Sequence, residues 1–189
     1  MNIRSLLGLA AAGIALCSCQ SDSYKINGYA SKLNNGDTIT LALEDHKQKI
    51  LGQTLVTNGN FKFSGVTDTT IFCRAYLNRD PLTYVSFFLE PGDITIELNP
   101  YPAQSTVSGT VLNNEWQGLN DSVQMLGYQL IRIAEKASKT QNEDYRQTQS
   151  DIDSLHRKIS GCITNTASRN KDNVLGKYIH ENYKEPEFK

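Results

Sequence analysis

The sequence has few of the residues that commonly carry catalysis, metal binding or redox chemistry. Its three histidines, His46, His156 and His180, lie far apart, and none belongs to an H-E-x-x-H pair. None of its four cysteines stands in a C-x-x-C pair, the usual spacing of a thiol-disulfide centre. The G-x-S-x-G, Walker and G-x-G-x-x-G motifs are also absent. We therefore expect no enzyme activity, no catalytic residue, no cofactor and no metal site.

The chain also lacks an excess of positive or negative charge. The 189 residues include 19 lysines and arginines against 20 aspartates and glutamates, which gives a net charge of −1. Nucleic-acid binding requires a concentrated basic patch, so we expect no nucleic-acid partner. With 39% hydrophobic and 21% charged residues, the composition is that of a folded globular chain.

The N-terminus carries the strongest local signal. Arg4 precedes an apolar run from Ser5 to Leu16, which is too short for a membrane span of about twenty apolar residues. This arrangement is typical of a secretory signal peptide. The following Leu16-Cys17-Ser18-Cys19 resembles a bacterial lipobox, which implies a signal peptide over residues 1–18 and lipid attachment at Cys19. Cys17 fits less well as the modified residue, because bulky Leu16 would then precede the cut. The alternative is an ordinary secretory signal with incidental cysteines.

Two cysteines, Cys73 and Cys162, remain in the part expected to fold. Both lie among apolar residues, where a free cysteine commonly behaves as a small core side chain. We therefore expect two buried thiols. An exported protein also permits a disulfide between them, which is the alternative.

After a linker over residues 19–23, residues 24–111 alternate polar and apolar side chains in short runs separated by turn residues. Asn58-Gly59 is a strong signal for a type I′ turn, and Pro91-Gly92-Asp93 indicates another tight turn. Without helix-length crossovers, about eight such runs predict an antiparallel β-sandwich or barrel. The strands are expected at 24–29, 38–43, 50–57, 61–63, 71–77, 82–90, 94–98 and 106–111.

The periodicity changes to a helical one in residues 113–185. Thr140 and Glu143 have capping-box spacing, so a second helix is expected to begin near Gln141 and to form a hairpin with the first. Asn170 or Asp172 is expected to cap a short third helix. The first stripe consists of Trp116, Leu119, Val123, Leu126, Leu130, Ile133 and Ala137. The second consists of Tyr145, Ile152, Leu155, Ile159, Cys162 and Thr166. The predicted fold class is therefore α+β, a sandwich followed by a helical hairpin and a short third helix.

Some residues invite a functional interpretation but have a simpler structural one. Glu90 and Asp93 flank the Pro91-Gly92 turn, where carboxylates usually bond the local backbone. Glu44 and Asp45 precede His46 in a polar loop, where we do not expect a metal. Trp116 is expected to pack the helices onto the sandwich, whereas an exposed tryptophan would indicate a binding site.

Three segments together resemble a known family. They are Asn58-Gly59-x-Phe61-x-Phe63-x-Gly65, Phe88-Leu89-Glu90-Pro91-Gly92-Asp93-Ile94 and Gly109-Thr110-x-x-Asn113. In this order and behind a lipobox, they resemble the N-terminal domain of unknown function of Bacteroidetes lipoproteins. That domain usually precedes a thioredoxin-like domain of the thiol-disulfide oxidoreductase or peroxiredoxin type. This sequence reaches Lys189 where that domain would begin, so it is expected to be either a stand-alone version or a fragment of a longer gene.

Three functions are compatible with these features. The first is a lipid-anchored protein of the cell envelope with a non-catalytic binding or scaffolding domain. The resemblance implies the outer membrane of a Gram-negative bacterium, on either face, and an envelope protein as partner, for example a thioredoxin-like one. The second is the detached accessory half of a thiol-disulfide oxidoreductase system. The third is a glycan-binding lipoprotein, which an exposed aromatic platform would support. The sequence predicts no particular ligand-binding residue.

Overall fold

A computed structural model describes residues 22–45, 49–139 and 145–183. In these ranges the chain forms eight strands followed by three helices. The strands are β1 Ser23–Tyr29, β2 Thr38–Leu43, β3 Ile50–Leu55, β4 Asn60–Val66, β5 Ile71–Leu77, β6 Asp80–Leu89, β7 Gly92–Glu97 and β8 Thr106–Ser108. The helices are α1 Val111–Lys139, α2 Tyr145–Arg169 and α3 Val174–Asn182. The predicted α+β fold class, a sandwich followed by helices, is confirmed.

The strands form two four-stranded sheets, ordered β4-β1-β7-β8 and β3-β2-β5-β6. The Asn58-Gly59 turn carries the chain from one sheet to the other, and both residues have the positive φ that a type I′ turn requires (51° and 71°). Gly92, with φ 126°, lies where the chain crosses again, from β6 to β7. One pairing differs from the antiparallel prediction. Strands β1 and β7 run parallel, because the chain crosses between the sheets several times before β7 returns beside β1.

The core lies between the two sheets. Along strands such as β1, β5 and β7 alternate residues point inward, and among the fully buried side chains are Ile26, Ile39, Leu41, Phe87 and Ile94. On β5 the same alternation turns Cys73 into the core and Arg74 onto the outer face. Burial of these apolar side chains is the main favourable contribution to the stability of the sandwich.

Helices α1 and α2 form the predicted antiparallel hairpin. Arg169 at the end of α2 forms a 2.9 Å ion pair with Glu115 near the start of α1, and Leu126 and Leu155 are buried along the two helices. Tyr145 was predicted on the second stripe but is 79% exposed. It lies at the far end of the hairpin, where α2 has only α1 beside it and an apolar side chain cannot be enclosed.

The predicted end of the last strand and the predicted cap of α3 are wrong. The last strand ends at Ser108 and not at Val111, because Gly109 has φ 106° and turns the chain into α1. The cap of α3 is Asn173 and not Asn170 or Asp172. The Oδ1 atom of Asn173 accepts hydrogen bonds from the N–H groups of Leu175 (3.0 Å) and Gly176 (3.2 Å). The predicted capping box at Thr140 and Glu143, with the helix start near Gln141, lies outside the described residues, as do residues 1–21 with Cys17 and Cys19.

Candidate binding groove

Helix α1 is fastened to the free edge of β6 by two side chains. Asn113 bonds both main-chain groups of Phe88 at 2.8 Å, and Trp116 Nε1 donates to the carbonyl of Ser86 at 2.8 Å. Trp116 is only 5% exposed, and its ring centroid lies 5.5 Å from those of both Phe72 and Tyr178. The prediction that Trp116 packs the helices onto the sandwich is confirmed.

Beside this attachment lies a groove of about 440 Å³ between β6, residues 101–105 and α1. We call it the β6–α1 groove. Its base is Trp116, and its side walls are a loop and one face of a helix. The lining residues are Leu82, Tyr84, Val85, Ser86, Tyr101, Pro102, Ala103, Gln104, Ser105, Trp116, Gln117, Asn120, Val123 and Gln124.

Apolar side chains are unusually open along this groove. Leu82 is 61% exposed, Tyr84 42% and Tyr101 64%. The amides of Gln104 and Asn120 make no hydrogen bond within the described part of the chain. By contrast, the amide of Gln117 is occupied, since it accepts from Val107 N (2.9 Å) and donates to Asp121 (2.7 Å). The groove therefore combines open aromatic rings with amides free to bond a ligand.

A polar network fixes the neighbouring outer face of the sheet. Arg74 donates two 2.7 Å hydrogen bonds to the carboxylate of Glu44, and the hydroxyl of Ser86 donates to the same carboxylate at 2.9 Å. The Arg74 guanidinium lies 4.2 Å from the ring centroid of Tyr84. This stacking holds the Tyr84 ring in place at the groove. The carboxylate of Glu44 is therefore already bonded to Arg74. The nearby His46 lies outside the described residues.

The other residues named from the sequence do not converge on a site. His156 is partly buried on α2 and His180 is exposed on α3. Glu90 does not bond the local backbone as expected, because its Oε1 atom is buried without a hydrogen-bond partner in the described structure. Asp93 is exposed. Among the described residues no group of three His, Cys, Asp or Glu side chains could hold a metal ion.

The two cysteines of the described chain are free. Cys73 is completely buried, and burial, helped by the charge of Glu44, raises the pKa of its thiol to about 12. Cys162 was expected to be buried but is only partly so. It lines a shallow concavity of about 330 Å³ between α1 and α2, because the small side chains of Gly118 and Ser122 on α1 leave space there.

From the sequence, none of the groove residues Leu82, Tyr84, Tyr101, Gln104 and Asn120 was predicted to bind a ligand. A signal for two of them was present, because Leu82 and Tyr84 lie on the outward-facing positions of β6, where apolar side chains are not required for the core. The part played by residues 101–105 depends on how the chain folds back against α1.

None of the helices in the described ranges has the length and apolar character needed to cross a membrane.

Comparison with known proteins identifies a family but not an activity. No curated protein matches the chain. Among solved structures, the CBM25-1 domain of the beta/alpha-amylase from Paenibacillus polymyxa overlaps 48% of this chain and 94% of its own at 8% identity, with a TM-score of 0.32. An overlap at that level supports no conclusion about fold or ligand. Residues 24–116 match the model of a domain of unknown function, DUF4369, and these residues span all eight strands and reach Trp116. The family resemblance seen in the sequence is thus confirmed, and through residues 24–116 the chain belongs to the DUF4369 family.

Proposed function

We propose that this protein is a lipid-anchored component of the bacterial cell envelope whose folded domain binds a partner without catalysing a reaction. The lipobox resemblance at Leu16 to Cys19 supports an anchor at Cys19. Two acyl chains at one cysteine suffice for stable attachment, whereas a single chain gives only reversible binding. The location that follows is the outer membrane of a Gram-negative bacterium.

The observation that carries the binding role is the β6–α1 groove. Binding sites are concave, largely apolar and equipped with a few polar groups that orient the ligand. Here Leu82, Tyr84 and Tyr101 supply open apolar surface beside the unpaired amides of Gln104 and Asn120. A monomeric domain rarely leaves such side chains together in solvent without a use for them.

The groove is also preorganised. Its base is held by the Trp116–Ser86 and Asn113–Phe88 hydrogen bonds, and Tyr84 is held by Arg74. A site that is ordered before binding loses less conformational entropy when its ligand arrives, and this favours affinity.

Membrane capture tests the proposal. The tagged full-length protein is purified from its own membranes, and its bound components are compared with those of Tyr101→Ala and Tyr84→Ala. The control is Tyr29→Ala, which removes an equally exposed tyrosine from β1 in the other sheet. We expect at least one component to be lost from both groove variants and retained by the control. Identical components in all four samples would contradict a binding role for the groove.

A further inference from the structure

The lining of the β6–α1 groove is free of charge. Charged residues make up 21% of the chain, yet none is found among the fourteen that line the groove. Arg74, which stacks on the ring of Tyr84, is already neutralised by two hydrogen bonds to Glu44. A charged ligand would lose its hydration here without gaining a counter-charge. The groove therefore suits an uncharged ligand.

The polar groups in the groove favour a ligand with many hydroxyls. Gln104 and Asn120 each offer an amide that both donates and accepts, and neither has a partner in the described residues. The rings of Tyr84 and Tyr101 offer flat, electron-rich faces. A sugar ring presents C–H groups on its face and hydroxyls at its rim. The C–H face can therefore lie against a tyrosine ring while the hydroxyls bond an amide.

An extended peptide is the main rival, because the groove runs along a strand edge. In the β5–β6 ladder Phe72 faces Phe88, Arg74 faces Ser86 and Tyr76 faces Tyr84. Since the N–H of Phe88 bonds Asn113, these pairs are the non-hydrogen-bonded ones, and the main-chain groups of Tyr84, Ser86 and Phe88 face the open edge.

Half of the main-chain groups at that edge are already occupied. Asn113 bonds the main-chain N–H and carbonyl of Phe88, and Trp116 bonds the carbonyl of Ser86. At the other end the N–H of Tyr101 bonds the hydroxyl of Thr83 at 3.0 Å. Within the described part of the chain, the N–H of Ser86 and the N–H and carbonyl of Tyr84 have no hydrogen-bond partner, and these three groups are too few for a strand to pair along. Hydroxyls, which donate and accept in any direction, can use such isolated groups.

From this combination we infer that the β6–α1 groove binds a neutral saccharide. Tyr84 and Tyr101 are the rings against which sugar faces lie, and Gln104 and Asn120 bond the hydroxyls. A volume of about 440 Å³ lies within the usual range for small-ligand sites. The inference rests on the proposed binding function and gives that function a ligand class.

Isothermal titration calorimetry on the full-length protein tests the inference. Lauryldimethylamine oxide serves as detergent, because a detergent with a sugar headgroup would compete for the site. The neutral probes are maltotetraose, cellotetraose, xylotetraose and mannotetraose. Tetragalacturonate serves as the acidic counterpart, and an acetylated, amidated hexapeptide of alternating threonine and valine represents an extended uncharged peptide.

We expect at least one neutral tetrasaccharide to bind. Tyr101→Ala should raise its Kd about tenfold through the lost ring contact, and Asn120→Ala should raise it roughly fivefold through a lost hydrogen bond. Tyr29→Ala and Asn165→Ala, which remove exposed groups from β1 in the other sheet and from α2, should leave the Kd unchanged. All four substitutions are at solvent-accessible positions, and thermal melts confirm that each variant is folded.

Four results would overturn the inference: binding of none of the neutral probes, equal binding by wild type and Tyr101→Ala, tighter binding of tetragalacturonate, or binding of the hexapeptide alone. These results are distinct from a failure of the proposed function. If membrane capture depends on Tyr101 while no saccharide binds, the groove remains the binding site and only the ligand class is wrong. If capture is unaffected by the groove variants, the proposed function itself fails.

Discussion

Asn113 bonds Phe88 as a neighbouring strand would. Its Oδ1 accepts from the N–H of Phe88 at 2.8 Å and its Nδ2 donates to the carbonyl of the same residue at 2.8 Å. The Nδ2 group also donates to Thr110 Oγ1 at 2.8 Å. This contact sets how α1 meets the sheet. Trp116, Asn120 and Gln124 follow Asn113 at helical spacing and so lie on the same side of α1, where Trp116 forms the base of the groove and Asn120 and Gln124 form its wall.

Asn113→Ala is predicted to destabilise the protein strongly. The substitution leaves a buried N–H and a buried carbonyl of Phe88 without partners, and each unsatisfied group costs about 1–3 kcal/mol. We therefore expect the free energy of unfolding, measured with urea, to fall by about 2–4 kcal/mol. Asn165→Ala is the control, since Asn165 is exposed near the end of α2 and should lose nothing. A loss below about 1 kcal/mol for Asn113→Ala would show that the contact does not fasten the helix.

The helical hairpin is predicted to depend on its buried leucines. Leu126→Asp and Leu155→Asp each place an unpaired carboxylate between α1 and α2, which should lower the free energy of unfolding by about 3 kcal/mol or more. Met125→Asp introduces the same charge next to Leu126 on the exposed side of α1 and should cost much less. If all three variants melted at the wild-type temperature, the two helices would not pack as described.

The two free thiols are predicted to differ in reactivity. Burial raises the pKa of Cys73 to about 12, so at pH 8 its thiolate is scarce as well as inaccessible. Iodoacetamide labelling followed by peptide mass spectrometry should modify Cys162 in the native protein and Cys73 only after unfolding. The protein should also neither reduce insulin disulfides nor consume peroxide. Native labelling of Cys73 at the rate of an unfolded peptide, or turnover abolished by Cys73→Ser, would contradict this non-enzymatic description.

Alkaline pH is predicted to destabilise the contact between α3 and the sheet. The Tyr178 ring lies 4.2 Å from that of Phe72, and burial, followed by nearby Tyr183 and Glu44, raises its pKa from 10.0 to about 12. Between these values the unfolded state loses the phenol proton while the folded state keeps it. The free energy of unfolding therefore falls as pH rises through this interval.

The test compares urea unfolding at pH 9, 10, 11 and 12. Tyr178→Phe has no proton to lose, so its stability should fall less steeply than that of the wild type above pH 10. Tyr128→Phe, a change at an exposed tyrosine of α1, should follow the wild-type curve. Parallel curves for all three proteins would rule out a raised pKa at Tyr178.

The sequence was a good guide wherever burial repeats along the chain. Period-two alternation located all eight strands, and helical spacing placed Trp116, Leu126 and Leu155 on packed faces. These predictions succeed because one face of each strand or helix is buried, so apolar residues recur along the sequence with the period of that element.

Features that depend on distant parts of the chain were not predicted. The parallel pairing of β1 with β7 follows from the order in which the chain crosses between the sheets. The alternation of polar and apolar residues within a strand does not indicate that order. The choice of Asn173 over Asn170 as the α3 cap has a similar origin. Asn170 is held by the end of α2, where its Nδ2 bonds the Thr166 carbonyl at 3.0 Å.

The groove is the clearest case of information that emerges only on folding. Tyr84 and Tyr101 lie in different segments, and Asn120 lies in a third, so no motif joins them. Their exposure is also ambiguous in the sequence, because isolated surface tyrosines are common. Only the attachment of α1 at Phe88 and Ser86 brings these segments together.

Fatty-acid labelling at Cys19 tests most directly the central claim, that this domain works while anchored to the envelope membrane. Cells that express the wild type, Cys17→Ala or Cys19→Ala are grown with an alkyne fatty acid, and the tagged protein is examined for label in membrane and soluble fractions. The account predicts labelled, membrane-bound wild type and Cys17→Ala, together with unlabelled Cys19→Ala, because removal of the acceptor thiol prevents acylation. Label that persists in Cys19→Ala, or wild type without label, would contradict it.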